Sequence, residues 1–174
     1  MGDNADDISK RIQLSVNNND INILTGGVSV GEADLVPKLI EKEGFEIYIE
    51  KTNIQPGRPM VFASNGTKYI FGLSGNPVSS FLQFEYYVKP LIYQLQCGTY
   101  KPTMLKLKLA ADYKRNRPGT LFLHPAHVVN NEVMPLEFNG SAHIFAFAQA
   151  NGIIELPDNI TELKKGEEVN VRLI

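Results

Sequence analysis

The sequence predicts an α/β domain with a mainly parallel sheet sandwiched by helices, followed by a small β-rich, barrel-like domain. Over residues 1–98, short apolar runs of strand type alternate with apolar stripes of helical period, which is typical of a parallel sheet. From residue 99 onward, apolar and polar residues alternate with a period of two between frequent turn residues, which is typical of antiparallel strands. We therefore predict two domains, residues 1–98 and 99–174, joined by a linker at residues 98–102.

Each element follows from its pattern of apolar residues and from the turn residues that bound it. In the first domain we predict a helix carrying Ile8, Ile12 and Val16, a strand at 21–24, a helix at 35–43, a strand at 46–51, a hairpin or two short strands at 60–63 and 69–73, and a long helix from residue 78 that is kinked near Pro90. In the second domain we predict strands at residues 105–109, 120–124, 133–137, 153–156 and 169–173, and one short helix near 143–150.

Two loops of the first domain join a strand to a helix and contain glycine. Residues 25–34 have the sequence Thr-Gly-Gly-Val-Ser-Val-Gly-Glu-Ala-Asp, and residues 73–77 have Leu-Ser-Gly-Asn-Pro. A glycine-containing corner between a strand and a helix is a common layout for binding phosphate or another oxyanion. Because ligands of open α/β sheets bind beyond the carboxyl ends of the strands, we predict that both loops lie at the same edge of the sheet.

Composition limits the class of protein. The 174 residues are 43% hydrophobic and 21% charged, which is ordinary for one or two globular domains. A net charge of -2 gives no reason to expect nucleic acid or a membrane surface as a partner. The single cysteine, Cys97, cannot form an internal disulfide, and no apolar run is long enough to span a membrane. We therefore expect a cytoplasmic protein.

Three segments carry a family resemblance. Residues 25–34, Gln-Pro-Gly-Arg-Pro at 55–59 and Leu-Ser-Gly-Asn-Pro-Val-Ser at 73–79 resemble, in this order and spacing, molybdopterin molybdenumtransferase, the MoeA family that includes the E domain of gephyrin. The similarity extends to residues 140–141, 150–152 and 165–169, and so covers essentially the whole chain. It implies insertion of molybdate into the dithiolene of adenylylated molybdopterin, with Mg²⁺-dependent release of AMP. Residues 1–98 would then bind the pterin nucleotide, and residues 99–174 would form the C-terminal β domain of the family.

The same resemblance implies that the chain is a piece of a longer protein. Family members have two further domains before these, and their α/β domain has an additional strand-helix-strand before the position of Met1. On this basis we expect an incomplete pocket, weak binding of the pterin nucleotide and no turnover by the isolated chain. The full-length protein would be a homodimer, as family members are.

Acidic residues are implied as the catalytic and metal-binding groups. Asp34 and Asp3 fall on acidic positions of the family active site, and Glu32 lies near them. Carboxylates beside a glycine loop can hold Mg²⁺ through oxygen ligands, and Asp34 is the residue to which we assign the metal. From the residues alone the alternative is structural, since Asp and Glu at the start of a helix cap it and stabilise its dipole.

Basic residues are implied as the anion-binding groups. Lys51 and Arg58 fall on basic family positions and would hold phosphate or molybdate oxygens, Lys51 being included with the catalytic residues. The alternative is a pair of solvated charges that flank a turn. The sequence departs from the family at Gln55, usually lysine, at Ser74, usually proline, and at Thr120 and His124, where the family has basic residues.

The remaining substrate-binding residues implied by the match are Thr25, Gly26, Gly27, Ser29, Gly31, Glu32, Arg58, Gly75, Asn76, Pro77 and Ser141. Two alternative functions stay open at this point. The chain could be a non-catalytic scaffold that binds peptides, as gephyrin does, and the departures at Gln55, Ser74 and Thr120 suit lost catalysis. It could also resemble α/β domains that adenylylate molybdopterin or act on pyridine nucleotides, although those lack the β domain. The three histidines have no spacing typical of a metal site.

Overall fold

The computed structural model describes residues 5–27, 35–140 and 143–174. The chain divides into two compact units, the first formed by residues 1–52 and 57–88 and the second by residues 53–56 and 89–174. The division at residue 88 lies inside a run of helical sequence that ends at residue 95. Apolar periodicity of helical type continues past residue 88, so the sequence pattern does not indicate a boundary there. The sequence instead predicts the domain boundary at residue 98.

Residues 5–95 contain most of the helices. In chain order the elements are α1 (Ala5–Asn18), β1 (Ile21–Thr25), α2 (Leu35–Lys42), β2 (Glu46–Lys51), β3 (Ile54–Gln55), β4 (Pro59–Ser64), β5 (Tyr69–Leu73), α3 (Pro77–Gln83), a π-helical turn (Phe84–Val88) and α4 (Lys89–Leu95). The long helix predicted from residue 78 is interrupted by this π-helical turn. The turn precedes Pro90 because proline has no N–H to donate to the preceding turn and its ring crowds the carbonyl there.

The sheet of the first unit is mixed, and the prediction of a mainly parallel sheet is wrong in this respect. The strand order is β1-β5-β4-β2, in which only β1 and β5 are parallel. The pairs β4–β5 and β2–β4 are antiparallel, because a tight turn at Asn65 and Gly66 joins the first pair and residues 52–58 join the second. Connections this short cannot return a strand to the same direction. Of the two alternatives predicted for residues 60–73, a hairpin or two short strands, the structure has the hairpin.

One face of this sheet packs against α1 and α2. Its buried cluster includes Ile12 from α1, Ile40 from α2, Ala63 from β4 and Ile70 from β5. Side chains alternate across a strand, so Phe62 and Phe71 point to the opposite face, where their ring centroids are 4.8 Å apart. The two helices that cover the first face, α1 and α2, were thus predicted correctly from apolar periodicity.

The second unit is a closed β-barrel to which β3 is added. Its strands are β6 (Met104–Leu109), β7 (Tyr113–Lys114), β8 (Leu121–Val129), β9 (Glu132–Pro135), β10 (Gly152–Leu156), β11 (Glu162–Leu163) and β12 (Glu168–Leu173), with helix α5 (Ile144–Gln149). The order β10-β12-β6-β9-β8 closes because β8 also pairs with β10, and this confirms the predicted barrel-like domain. The strand β3 lies parallel to the start of β8, so residues 53–56 belong to this unit. Within the described residues, no helix is long and apolar enough to cross a membrane.

Replacing Gly152 with alanine is expected to destabilise the barrel. A Cβ at this position of β10 would lie 2.9 Å from Val171 Cγ1 and 3.0 Å from Val128 Cγ2, which is closer than side-chain atoms pack. The two valines must move, and overpacking of this kind costs about 1–3 kcal/mol of the free energy of unfolding. Urea denaturation measures the loss. Glu132→Ala, at an exposed position of β9, is the control and should change stability by less than about 0.5 kcal/mol.

Candidate functional site

Two glycine-containing corners meet at one edge of the first unit. The strands β1 and β5 are parallel neighbours whose last residues, Thr25 and Leu73, lie opposite each other. The backbone N–H of Gly26 donates to the carbonyl of Leu73 at 3.0 Å, which extends the pairing into the loops. Both corners therefore begin at the carboxyl ends of adjacent parallel strands, as predicted from the sequence.

The two corners come close to each other at Gly75, where a side chain would be tightly packed. A Cβ on Gly75 would lie 3.3 Å from the Cα of Gly26, and Gly26 itself has a φ of +87°, a backbone conformation that favours glycine. Thr25, Gly27, Gly75 and Pro77 are nevertheless exposed. The glycines thus leave backbone rather than side chains at this surface, which is what close approach to an anionic ligand requires.

Asn76 has a structural role that is visible in its contacts. Its Oδ1 accepts from the N–H groups of Val78 at 3.1 Å and Ser79 at 3.3 Å, and so caps the N-terminus of α3. The hydroxyl of Ser74, where the family usually has proline, accepts from the N–H of Asn76 at 3.2 Å. In this chain a hydrogen bond therefore restricts the backbone of the corner, whereas in the family a proline ring at position 74 usually restricts it.

Lys51 and Arg58 flank a turn that is closed by Thr52. The N–H of Thr52 donates to the carbonyl of Arg58 at 2.8 Å, and its hydroxyl donates to the carbonyl of Gly57 at 2.8 Å. Thr52 is buried, whereas Lys51 and Arg58 are both exposed. The backbone of the turn is fixed, and the two cations project from it towards solvent.

Several predicted site residues lie outside the described residues. These are Asp3, Ser29, Gly31, Glu32, Asp34 and Ser141. Their assigned roles, including the Mg²⁺ site at Asp34, stay predictions. In the part of the chain that the structure describes, no group of three His, Cys, Asp or Glu residues could hold a metal ion.

The second unit contains a cavity of about 370 Å³ with basic and aromatic walls. It is lined by the cations Lys114, Arg115 and Arg117, the amides Gln55 and Asn116, and the rings Tyr113, Phe122, His124 and Phe138. The side chains combine positive charge, amide N–H groups and ring faces. Such a cavity favours an anion that carries a planar ring system.

The Arg115 guanidinium hydrogen-bonds to the protein itself, whereas Lys114 and Arg117 are exposed beside it. Its guanidinium donates to the carbonyls of Thr120 at 3.0 Å, Pro157 at 2.7 Å and Asp158 at 2.8 Å. It is 7% exposed and holds two loops together. Lys114 and Arg117 are exposed on either side of it and are the cations that a ligand can reach.

Sequence reasoning missed Lys114 and Arg117. In this region the sequence predicts only that Thr120 and His124 replace basic residues of the family. The signal that could have found the cations is the run Lys-Arg-Asn-Arg at 114–117, which places three positive charges in four residues. A charge run is usually a solvated surface, and only the fold places this one at a cavity.

Gln55 and Thr120, two of the departures from the family, contact each other. The Thr120 hydroxyl donates to Gln55 Oε1 at 3.2 Å. This bond uses the acceptor of the amide, so the NH₂ group is the part of Gln55 that can donate into the cavity. A neutral pair therefore occupies the two positions where the family resemblance implies two cations.

His124 is buried as a neutral ring among aromatic side chains. Its Nε2 donates to the carbonyl of Leu136 at 2.8 Å, and its ring makes edge contacts with Tyr113 at 4.9 Å and Phe138 at 5.9 Å between centroids. Nδ1 is buried and has no hydrogen-bond partner among the described residues. Burial lowers the pKa of His124 to about 4, although the bond to Leu136 acts in the opposite direction.

Comparison with known proteins agrees with this geometry. Residues 1–94 match a family model described as a probable molybdopterin binding domain, and residues 106–174 match one described as the MoeA C-terminal region, domain IV. A solved MoeA protein from Pyrococcus horikoshii has a TM-score of 0.80 at 27% identity and covers 98% of this chain and 41% of its own. A molybdenum cofactor biosynthesis protein from Pyrococcus furiosus, at 21% identity and a TM-score of 0.79, covers 100% of this chain and 56% of its own and supports the fold.

These matches define the class, an α/β unit of the molybdopterin-binding type followed by a β-barrel unit of the MoeA C-terminal type. A molybdopterin molybdenumtransferase from Staphylococcus aureus is 34% identical over 97% of this chain, and one from Staphylococcus epidermidis is 33% identical over 98%. The chain belongs to the molybdopterin molybdenumtransferase (MoeA) family. It spans 42% of the length of each of these two relatives.

Replacing His124 with leucine is expected to reduce the pH dependence of stability between pH 6.5 and about 4. The folded pKa of about 4 lies below the ordinary value of 6.5, so in this range the unfolded chain binds a proton that the folded protein does not. Stabilisation by neutral His124 is complete above pH 6.5 and is lost as the pH falls towards 4. The loss is about 3 kcal/mol of the free energy of unfolding, measured by urea denaturation across this range.

Val129→Thr is the control for this experiment. Val129 is exposed on the same strand, β8, and has no ionisable side chain, so its replacement should leave the slope of stability against pH unchanged. Equal slopes for the parent and for His124→Leu would contradict the assignment of a buried neutral histidine.

Proposed function

We propose that the chain provides the pterin-nucleotide site of a molybdopterin molybdenumtransferase. The reaction is insertion of molybdate into adenylylated molybdopterin with release of AMP. The observation that supports it best is the joined pair of glycine corners at the ends of β1 and β5, where the Gly26 N–H donates to the Leu73 carbonyl and a Cβ on Gly75 would lie 3.3 Å from Gly26 Cα. Among relatives, the Staphylococcus aureus protein is named as this transferase.

In this proposal the corners hold the nucleotide through their backbone. The exposed backbone at Gly27 and Gly75 offers N–H donors without side-chain obstruction, and this suits a phosphate group. Lys51 and Arg58 supply positive charge beside the closed turn at Thr52. Charge-assisted hydrogen bonds from such cations are about twice as strong as neutral ones, and both phosphate and molybdate oxygens can accept them.

In this proposal the cavity of the second unit also contacts the anionic substrate. Lys114 and Arg117 attract an anionic substrate to the barrel, and the Gln55 NH₂ group donates to an oxygen atom. The rings of Phe122 and Phe138 offer apolar walls for a planar group. Arg115 keeps these walls in place through its carbonyl contacts and does not bind the ligand itself.

Cleavage of the phosphoanhydride needs positioning and charge neutralisation more than a covalent nucleophile. Ser74 is unsuited to nucleophilic attack, since its hydroxyl serves the corner by accepting from the N–H of Asn76. Lys51 and Arg58 neutralise charge that develops on the phosphate oxygens. Molybdate is a substrate, and its oxygens compete for the same cations.

Magnesium is part of the proposal through residues outside the described part of the chain. Asp34, with Asp3 and Glu32, would supply oxygen ligands, the kind that Mg²⁺ prefers. The described residues do not by themselves form such a site, so we derive no step through the ion. We further propose a homodimeric, cytoplasmic protein. The alternative of a peptide-binding scaffold is not favoured, because the relatives that match across the chain are named as transferases.

Arg58→Gln is expected to weaken binding of adenylylated molybdopterin about 10- to 150-fold, since one charge-assisted hydrogen bond is worth roughly 1.5–3 kcal/mol. Isothermal titration calorimetry at low salt measures the dissociation constant. Arg11→Gln is the matched control, because Arg11 is an exposed arginine on α1 of the same unit, and it should leave the affinity unchanged. No binding by the parent chain at millimolar ligand would overturn the proposed function.

Asp34→Ala is expected to remove the dependence of nucleotide binding on MgCl₂. Without the carboxylate, the ion loses an oxygen ligand, so titrations with MgCl₂ and with EDTA should give the same dissociation constant. Asp20→Ala, at an exposed position before β1, is the control and should retain the difference. A full MgCl₂ response in Asp34→Ala would remove Asp34 from the metal site.

A further inference from the structure

Gln83 is a fully buried amide whose hydrogen bonds all go to loops of the candidate site. It is the last residue of α3 and has 0% exposure. Its Nε2 donates to the carbonyls of Gly57 at 2.8 Å and Pro59 at 2.6 Å, and its Oε1 accepts from the N–H of Ser74 at 2.8 Å. A buried polar side chain is costly unless it is satisfied, and Gln83 uses both donors and its acceptor.

These bonds join two segments that are distant in the sequence. Gly57 and Pro59 are the two neighbours of Arg58, so Gln83 holds the backbone on both sides of the cation. Ser74 directly precedes the corner at residues 75–77. One side chain therefore ties the turn that carries Arg58 to the glycine-asparagine corner.

The elements around Gln83 make this connection rigid. The helix α3 begins at its cap Asn76, within the corner, and ends at Gln83, which bonds back to Ser74 at the start of the same corner. On the other side, the Gly57 carbonyl also accepts from the hydroxyl of Thr52. The turn is thus held by two donors from different elements. Both ends of the connection lie within the first unit.

Position 83 requires the particular hydrogen-bonding groups of glutamine. Methionine has a similar size but offers no hydrogen bond, so the carbonyls of Gly57 and Pro59 would lose a donor. Glutamate keeps the acceptor for Ser74 but, when ionised, places negative charge against two carbonyl oxygens. Only a side chain with two donors and one acceptor at this reach satisfies all three backbone groups.

We propose that Gln83 is a positioning residue that sets Arg58 relative to the corner at residues 75–77, so that one anionic ligand contacts both. This inference rests on the proposed function, because the ligand is taken to be adenylylated molybdopterin. Gln83 does not touch the ligand in this account. It acts through the turn and through the corner.

A double-mutant cycle with Arg58 tests the proposal. The variants Gln83→Met, Arg58→Gln and the double variant are titrated with adenylylated molybdopterin by calorimetry. Gln83→Met is expected to weaken binding about tenfold when Arg58 is present and less than about twofold when Arg58 is already replaced, because the two residues act as a unit. Gln94→Met, at an exposed position of α4, is the matched control and should bind like the parent.

The outcomes separate positioning from a merely structural role. A lower melting temperature for Gln83→Met with unchanged affinity would overturn the proposal, and so would equal losses of affinity in both backgrounds. If the parent itself does not bind, the proposed function fails and this inference fails with it. If the parent and Arg58→Gln differ but Gln83→Met does not, only the role of Gln83 is overturned.

Gln83→Glu provides a second readout in case Gln83→Met does not fold. Protonation of the introduced carboxyl restores one O–H donor towards Gly57 or Pro59. The affinity of Gln83→Glu relative to the parent is therefore expected to rise several-fold as the pH is lowered from 8 to about 5. A ratio that stays constant across this range would count against positioning by the two donated hydrogen bonds.

Discussion

The parallel pairing of β1 with β5 is the constraint on which the first unit depends. It is the one parallel pair in that sheet, and its last hydrogen bond, from Gly26 to the Leu73 carbonyl, already belongs to the loops. Because parallel strands end at the same edge, two segments almost fifty residues apart meet as bare backbone. The capped start of α3 and the turn at Thr52 are then held against this edge by a single buried amide, Gln83.

The cavity of the second unit is built differently from the corners of the first unit. It is lined by side chains of the strands β3, β7 and β8 together with the loop at residues 115–117. Arg115 joins the chain at Thr120 to the chain at Pro157 and Asp158 by donating to their backbone carbonyls. This use of one arginine as internal support leaves the flanking cations, Lys114 and Arg117, facing solvent. The net charge of the chain does not indicate which basic side chains hydrogen-bond to the protein and which face solvent.

Periodicity predicted most elements, and it failed where strand direction was concerned. Apolar spacing reports which face of a strand is buried, but it does not report which strand is the neighbour. The residues 52–58 allow β2 and β4 to pair antiparallel, and this made the sheet mixed. For the site, motif order predicted the meeting of the corners. No sequence pattern indicated the role of Gln83, because a buried glutamine that hydrogen-bonds to distant backbone belongs neither to an apolar period nor to a motif.

The contact between Gln55 and Thr120 has an evolutionary consequence. Each of these side chains satisfies the other, so replacing either one alone leaves its partner with an altered environment. A lysine at position 55 would lose the acceptor for the Thr120 hydroxyl, and an arginine at position 120 would press a cation against the amide NH₂ group if the amide did not rotate. Positions 55 and 120 should therefore covary among homologues, because a change at either position alters what the other side chain can donate or accept.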